Sequence, residues 1–101
     1  MPSFGAKSKA NLSECHPDLQ KVFNKVIQSY DCSVIEGYRG REEQDAAFHS
    51  GKSKLQYPKS KHNRQPALAA DVIPYPVDWD DTKQFYHFAG FVQGIAEEMG
   101  I

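Results

Sequence analysis

The sequence predicts an α+β fold, three helices packed on a small antiparallel sheet. Three observations point to it: long segments with apolar residues at helical spacing, two short runs of β-branched and apolar residues between them, and no internal repeat or linker in 101 residues. At 40% apolar and 25% charged, the composition is that of one folded domain, outside the disordered, collagen-like and membrane classes.

The first helix is expected over Cys15–Tyr30, where Leu19, Val22, Phe23, Val26, Ile27 and Tyr30 recur on one helical face. Pro17 suits its first turn, where a missing N–H leaves no bond unmade and the fixed φ is already helical. Ser33–Tyr38, short, β-branched and aromatic, reads as a strand leaving the core with Arg39 at its mouth. Arg41–Ser50 reads as a second helix: Glu42 and Glu43 complement the positive end of its dipole, and Gly51 stands just past its end.

Gly51–Pro66 is polar, with four lysines, two prolines and no periodicity. An irregular loop of ~15 residues in a small domain is typically functional or mobile, which makes this a candidate binding loop. Leu68–Ile73 is expected as a buried strand, stopped by Pro74 and Pro76, neither of which can donate to a ladder. Asp80 or Asp81 is placed to cap the last helix, Thr82–Met99. That helix is expected to bury Phe85, Phe88, Ala89, Val92, Ile95, Ala96 and Met99, and Gly100 ends it.

Charge and chain chemistry exclude several classes of function. A net charge of −1 and a pI near 6.4 remove the electrostatic case for nucleic acid or an anionic membrane as partner. No apolar run approaches the ~18 residues of a membrane span. Met1–Ala10 has lysines without the apolar stretch of a signal peptide, so the expected location in the producing cell is cytoplasmic. Cys15 and Cys32 lack CxxC spacing and read as reduced, partly buried thiols rather than as a bridge or zinc ligands.

The residues with chemical promise are Ser60-Lys61-His62 and, eight intervening residues after His62, Asp71 within Ala69-Ala70-Asp71-Val72-Ile73. A carboxylate among apolar neighbours is costly to bury unless it is paired or binds a metal. Imidazole nitrogen and carboxylate oxygen are both ordinary zinc ligands. The same two residues would equally form a buried hydrogen bond, and the residues by themselves leave both readings open.

Taken with Gly37-Tyr38-Arg39 before it and Asp78-Trp79-Asp80 after it, this pattern resembles the vancomycin-resistance-type D,D-carboxypeptidases and the phage L-alanyl-D-glutamate endolysins, the phage members more closely. The resemblance runs from about Leu19 to Ile101. It implies a hedgehog/D-Ala-D-Ala-peptidase-like fold and a zinc-dependent hydrolase of peptidoglycan stem peptides that acts on the cell wall after release from the cell. It also implies that His62 and Asp71 are zinc ligands and that Arg39 is the catalytic residue stabilising the oxyanion. Arg39, Gln44 and Ser60 become substrate-binding residues, with Ser60 also supporting the loop beside the zinc.

Two departures from the family pattern matter. The His62-to-Asp71 spacing is longer than in the vancomycin-resistance enzymes through an Asn63–Ala67 insertion, expected to bulge the loop without moving the ligands. Family members also continue into a further strand carrying an acid-x-x-His pattern, the general base and a third zinc ligand, which these 101 residues do not contain. The expectation is therefore one peptidase-like domain, 1–101, truncated at its C-terminus, that self-associates through an open sheet edge or keeps a partly open cleft and does not hydrolyse peptidoglycan on its own. His16, His49 and His87 have structural readings at helix ends and faces, as do Asp78, Asp80 and Asp81 at a helix start. The rival functions are a truncated, non-catalytic module that binds cell-wall peptide, or nothing, through the Arg39 and Lys52–Arg64 surface, and a signalling or structural domain on the hedgehog-like fold.

Overall fold

The computed structural model describes residues 2–101. Its first helix, α1 (Ala6–Ser13), is one that no apolar stripe announces, since its buried side chains are only Ser8 and Leu12. It adds a fourth helix to the expected three, and its place in the fold is set by hydrogen bonding. Against the first strand, β1 (Cys32–Glu36), Ser8 Oγ accepts the Val34 N–H at 3.0 Å and Asn11 Nδ2 donates to the Val34 carbonyl at 2.8 Å. The strand edge facing α1 thereby has both backbone groups of Val34 bonded, which helps to blunt it.

Between them lies α2 (Pro17–Val26), capped by His16, whose Nδ1 accepts the Asp18 N–H at 3.1 Å. It is shorter than the expected Cys15–Tyr30. Ser29 and Tyr30 N–H both bond the Val26 carbonyl, at 3.0 and 2.9 Å, and this tight turn swings the chain into β1. The apolar face is as expected, with Val22, Phe23, Val26 and Ile27 buried.

Next come α3 (Arg41–His49), a 3₁₀ turn at Lys61–Asn63, β2 (Asp71–Pro74) and α4 (Thr82–Glu98). Gly51, just beyond α3, has φ of 83°, the left-handed conformation that favours glycine at a helix end. The 3₁₀ turn gives regular structure to part of the loop that reads as irregular. β1 and β2 pair antiparallel, and the α+β class with a small antiparallel sheet is the one expected.

Two expectations about the second half need correction. The strand starts at Asp71 rather than Leu68, and Leu68 is exposed. Ahead of the strand, Ala67 is tied to the N-terminal side, its N–H bonding the Glu14 carbonyl at 2.9 Å and its carbonyl accepting from His16 N–H at 2.8 Å, while the Leu68 N–H bonds the Lys61 carbonyl at 3.0 Å. Those bonds draw the chain away from the ladder. In α4, Phe88 is buried, but Ala89 and Met99 are exposed and Phe85, Val92, Ile95 and Ala96 only half-buried. The helix lies against α2 and the short β2, so part of its apolar face borders an open groove of about 390 Å³ lined by Phe23, Val72, Phe85 and Val92.

The core is the packing of Leu12, Val22, Phe23, Val26, Cys32, Val34, Ala67 and Phe88, with Tyr30 edge-on to Phe88 at 5.0 Å between ring centres. Among the described residues no helix is long and apolar enough to cross a membrane.

Candidate metal and active site

Three elements converge on one point. Glu36 ends β1, His62 lies in the 3₁₀ turn and Asp71 begins β2, and one ligand atom from each lies within 4.8 Å of the others. The ladder pairs Cys32 with Pro74, Ser33 with Ile73 and Val34 with Val72, then slips so that Glu36 and not Ile35 faces Asp71. A bulge of one residue in β1 thus sets the two carboxylates opposite each other, a common device for re-aiming a side chain beside a functional site.

His62 is oriented from two directions. Ser60 caps the 3₁₀ turn: its Oγ accepts the His62 N–H at 3.2 Å, and its own N–H donates to Asn63 Oδ1 at 3.0 Å. The ring nitrogen Nδ1 lies 2.8 Å from the Gly37 carbonyl oxygen. A carbonyl only accepts, so Nδ1 carries the proton, and Nε2 is the atom turned to Asp71 Oδ1 at 3.4 Å. In the neutral ring, Nε2 and the carboxylate are two acceptors face to face, an arrangement that calls for a proton or a cation between them. Fixing a histidine by a backbone carbonyl on its far nitrogen is the usual support for a metal ligand.

The residue whose carbonyl holds His62 is also closely approached by α1: a Cβ on residue 37 would collide with the Asn11 carbonyl oxygen and press on Cys15 Sγ. Close approach therefore requires glycine here.

Arg39 is buried, with 4% of its surface exposed. Its Nε donates to Glu36 Oε1 at 3.1 Å, its Nη2 also bonds Glu36 and lies 3.5 Å from Asp71 Oδ2, and its Nη1 donates to Gln44 Oε1 at 2.9 Å. The Arg39 N–H bonds the His62 carbonyl at 2.7 Å, and Asn63 Nδ2 donates to the Arg39 carbonyl at 2.7 Å and to Gln44 Oε1 at 3.2 Å. Gln44 in turn donates to Ser53 Oγ at 3.0 Å and the Leu55 carbonyl at 2.6 Å. One buried network therefore joins the end of β1, the start of α3 and the loop carrying His62.

The electrostatics follow from these contacts. The hydrogen bond with Asp71 raises the His62 pKa above its ordinary value, against burial and the nearby Arg39, which lower it. The same bond with His62 is the main cause holding Asp71 below the ordinary carboxylate range, against the desolvation that raises it. Without a metal, a proton on Nε2 turns the two into an ion pair.

Arg39, His62 and Asp71 come together as the sequence suggests. Gln44, fully buried, and Ser60, 6% exposed, lie behind them with their polar atoms engaged in bracing. The sequence reading missed three residues. Glu36 was signalled only by being a charge within the apolar run Ser33–Tyr38. Asn63 was hidden inside the presumed Asn63–Ala67 insertion, where it is a buried bracing residue and not part of a bulge. Lys52, whose Nζ lies 3.5 Å from Glu36 Oε1, stands in the sequence only as one lysine of the candidate binding surface Lys52–Arg64, with nothing to set it beside Glu36.

The remaining histidines lie elsewhere: His16 caps α2, His49 ends α3 against the Phe48 ring, and His87 meets the Tyr30 hydroxyl at 3.4 Å. Asp81 caps α4 by accepting the Gln84 N–H at 3.0 Å. Cys15 and Cys32 are free buried thiols, burial raises both pKa values, that of Cys32 to about 11, and neither belongs to the cluster of Glu36, His62 and Asp71.

Known proteins resemble the chain along almost its whole length. The family model for phage L-alanyl-D-glutamate peptidase matches residues 2–101. The L-alanyl-D-glutamate peptidase of Escherichia phage T5 is 31% identical over 104 residues, spanning 97% of this chain and 74% of the phage protein. The crystal structure of the Serratia marcescens L-Ala D-Glu endopeptidase ChiX superposes with a TM-score of 0.79 at 30% identity, over 98% of this chain and 75% of that one.

Proposed function

The chain belongs to the phage L-alanyl-D-glutamate peptidase family, and we propose that it hydrolyses the L-alanyl-D-glutamate amide of peptidoglycan stem peptides with a zinc ion held at His62 and Asp71. The observation that carries the metal reading is the His62 tautomer: with Nδ1–H on the Gly37 carbonyl, the Nε2 lone pair points at the Asp71 carboxylate. The donor set fits zinc better than calcium or magnesium, which prefer oxygen ligands alone. Glu36 lies within ligand reach of the same point and supplies from within these 101 residues the third donor that the sequence was expected to lack, which is the ground for proposing activity where none was expected. Bound there, zinc would polarise the scissile carbonyl and lower the pKa of a water molecule.

The chain's own residues have separable tasks. Gly37 and Ser60 hold the His62 ring and backbone, so its Nε2 needs no reorientation. Arg39 pins both carboxylates through its guanidinium, so that Glu36 and Asp71 stay aimed at the point where the ion would sit. Gln44 and Asn63 hold Arg39. In the hydrolysis, water adds to the alanyl carbonyl, the C–N bond breaks, and the released amine of D-glutamate takes a proton. The names of both relatives favour this bond over the terminal one cut by a D,D-carboxypeptidase.

The test is mass spectrometry of purified cell walls incubated with the chain, with zinc or with chelator. New L-alanine C-termini and D-glutamate N-termini, dependent on zinc and lost in His62→Ala, are the expected products. Release of a terminal D-alanine instead would replace the endopeptidase reading by the carboxypeptidase one. Activity that persists in chelator would remove zinc from the account.

A further inference from the structure

A cavity of about 370 Å³ adjoins the candidate site, with Glu36, Arg39 and Lys52 on the side nearest it and Glu43, Ala46 and Ser50 along α3 and its end. It holds two cations in very different states. The Arg39 side chain is 5% exposed, and its guanidinium is committed to Glu36, Gln44 and Asp71. The Lys52 side chain is 56% exposed, and its ammonium has one long contact, 3.5 Å to Glu36 Oε1. An ammonium has three donors, so Lys52 retains donors for an incoming anion, while Arg39 has little left to offer.

The substrate brings such an anion. A glutamate acylated at its nitrogen has two carboxyl groups, and extending the peptide uses one of them. The other stays ionised at neutral pH, a few bonds from the nitrogen that leaves in the reaction. Resting on the peptidase reading above, we propose that Lys52 is a specificity-determining residue whose ammonium binds the free carboxylate of the D-glutamyl residue in this cavity. Glu36 does not oppose it, because Arg39 already matches its charge. Glu43 on the cavity wall does oppose it, which disfavours a second anion and leaves Lys52 as the single anchor.

The experiment uses two synthetic probes, N-acetyl-L-alanyl-D-glutamyl peptides extended through one carboxyl with the other either free or capped as an amide, made for each direction of extension. Their kcat/KM values are measured with zinc, and their affinities are measured by calorimetry in chelator, where no turnover occurs. The wild-type chain should prefer a free-acid probe by about tenfold in both, the scale of one hydrogen bond between charged groups. Lys52→Met should lose that preference through KM, Lys52→Arg should keep most of it, and the melting temperatures should match because residue 52 is exposed.

Equal handling of the free and capped probes by the wild type would overturn the assignment, as would a preference that survives Lys52→Met. Failure to cut either probe with zinc present would overturn the peptidase reading itself, and the Lys52 assignment with it. Cutting without discrimination would overturn the assignment alone.

Discussion

Glu36 stands opposite Asp71 across the two-stranded ladder, one residue out of the register that pairs Cys32, Ser33 and Val34 with their partners. Side chains alternate faces along a strand, so without the slip Glu36 would not meet Asp71. If Glu36 is a metal donor, Glu36→Gln should weaken zinc binding by about tenfold, equivalent to about 1.4 kcal/mol, in competition with a chromophoric chelator. An unchanged affinity would leave Glu36 as the counter-ion of Arg39 only.

His62 and Asp71 should matter far more. His62→Ala or Asp71→Asn removes one of the two principal ligands, and zinc affinity should fall by at least ~100-fold, the upper range found when a metal site loses supporting groups. The accompanying signal is thermal: zinc should raise the melting temperature of the wild type by mass action and leave these variants unmoved. A zinc-induced shift that persists in His62→Ala would place the ion elsewhere.

The pH dependence of the metal-free chain has a definite sign. The His62 pKa is raised from its ordinary 6.5, so the stability it contributes is fully present below that value and is lost as pH rises through the raised pKa. The Asp71 pKa is lowered from 3.8, so its contribution is fully present above that value and is lost as pH falls through the lowered pKa. Melting temperatures in chelator should therefore be highest between roughly pH 4 and 6.5, and His62→Gln should flatten the profile. Zinc must displace the proton from His62, so its affinity should rise with pH through the same range. An affinity independent of pH would separate the metal from His62.

Asn63 joins the His62 loop to Arg39 and Gln44 through buried bonds. Asn63→Ala should cost about 2–3 kcal/mol, because the Ser60 N–H and the Arg39 carbonyl lose their partners away from water. Chemical denaturation measures it. A loss below about 0.5 kcal/mol would mean that water replaces the amide and that the residue is dispensable.

Gly37 offers a more local test. Gly37→Ala forces a methyl against the Asn11 carbonyl, and overpacking of this kind costs about 1–3 kcal/mol. Because the Gly37 carbonyl holds Nδ1 of His62, the His62 ring signals in an NMR spectrum should move as well. Lost stability with unmoved imidazole resonances would show that the ring is held mainly by its own turn.

Much of this protein was legible in its sequence because the relevant physics is short-range. The stripe from Leu19 to Ile27 encodes α2, acidic residues and Gly51 bracket α3, and Asp81 caps α4. Asp71 among apolar residues announced a charge that needed a partner, and the nearby His62 was the partner found. α1 was not legible, because its place depends on Ser8 and Asn11 bonding the Val34 backbone and not on an apolar face. Nor were Glu36 and Asn63, or the committed state of Arg39 against the exposed ammonium of Lys52. Those depend on one bulged residue in β1 and on bonds between segments far apart in the chain. Periodicity and capping report which side chains share a face of one element, whereas the register between elements decides which faces meet, and here the slip that aligns Glu36 with Asp71 is settled only once both strands are paired.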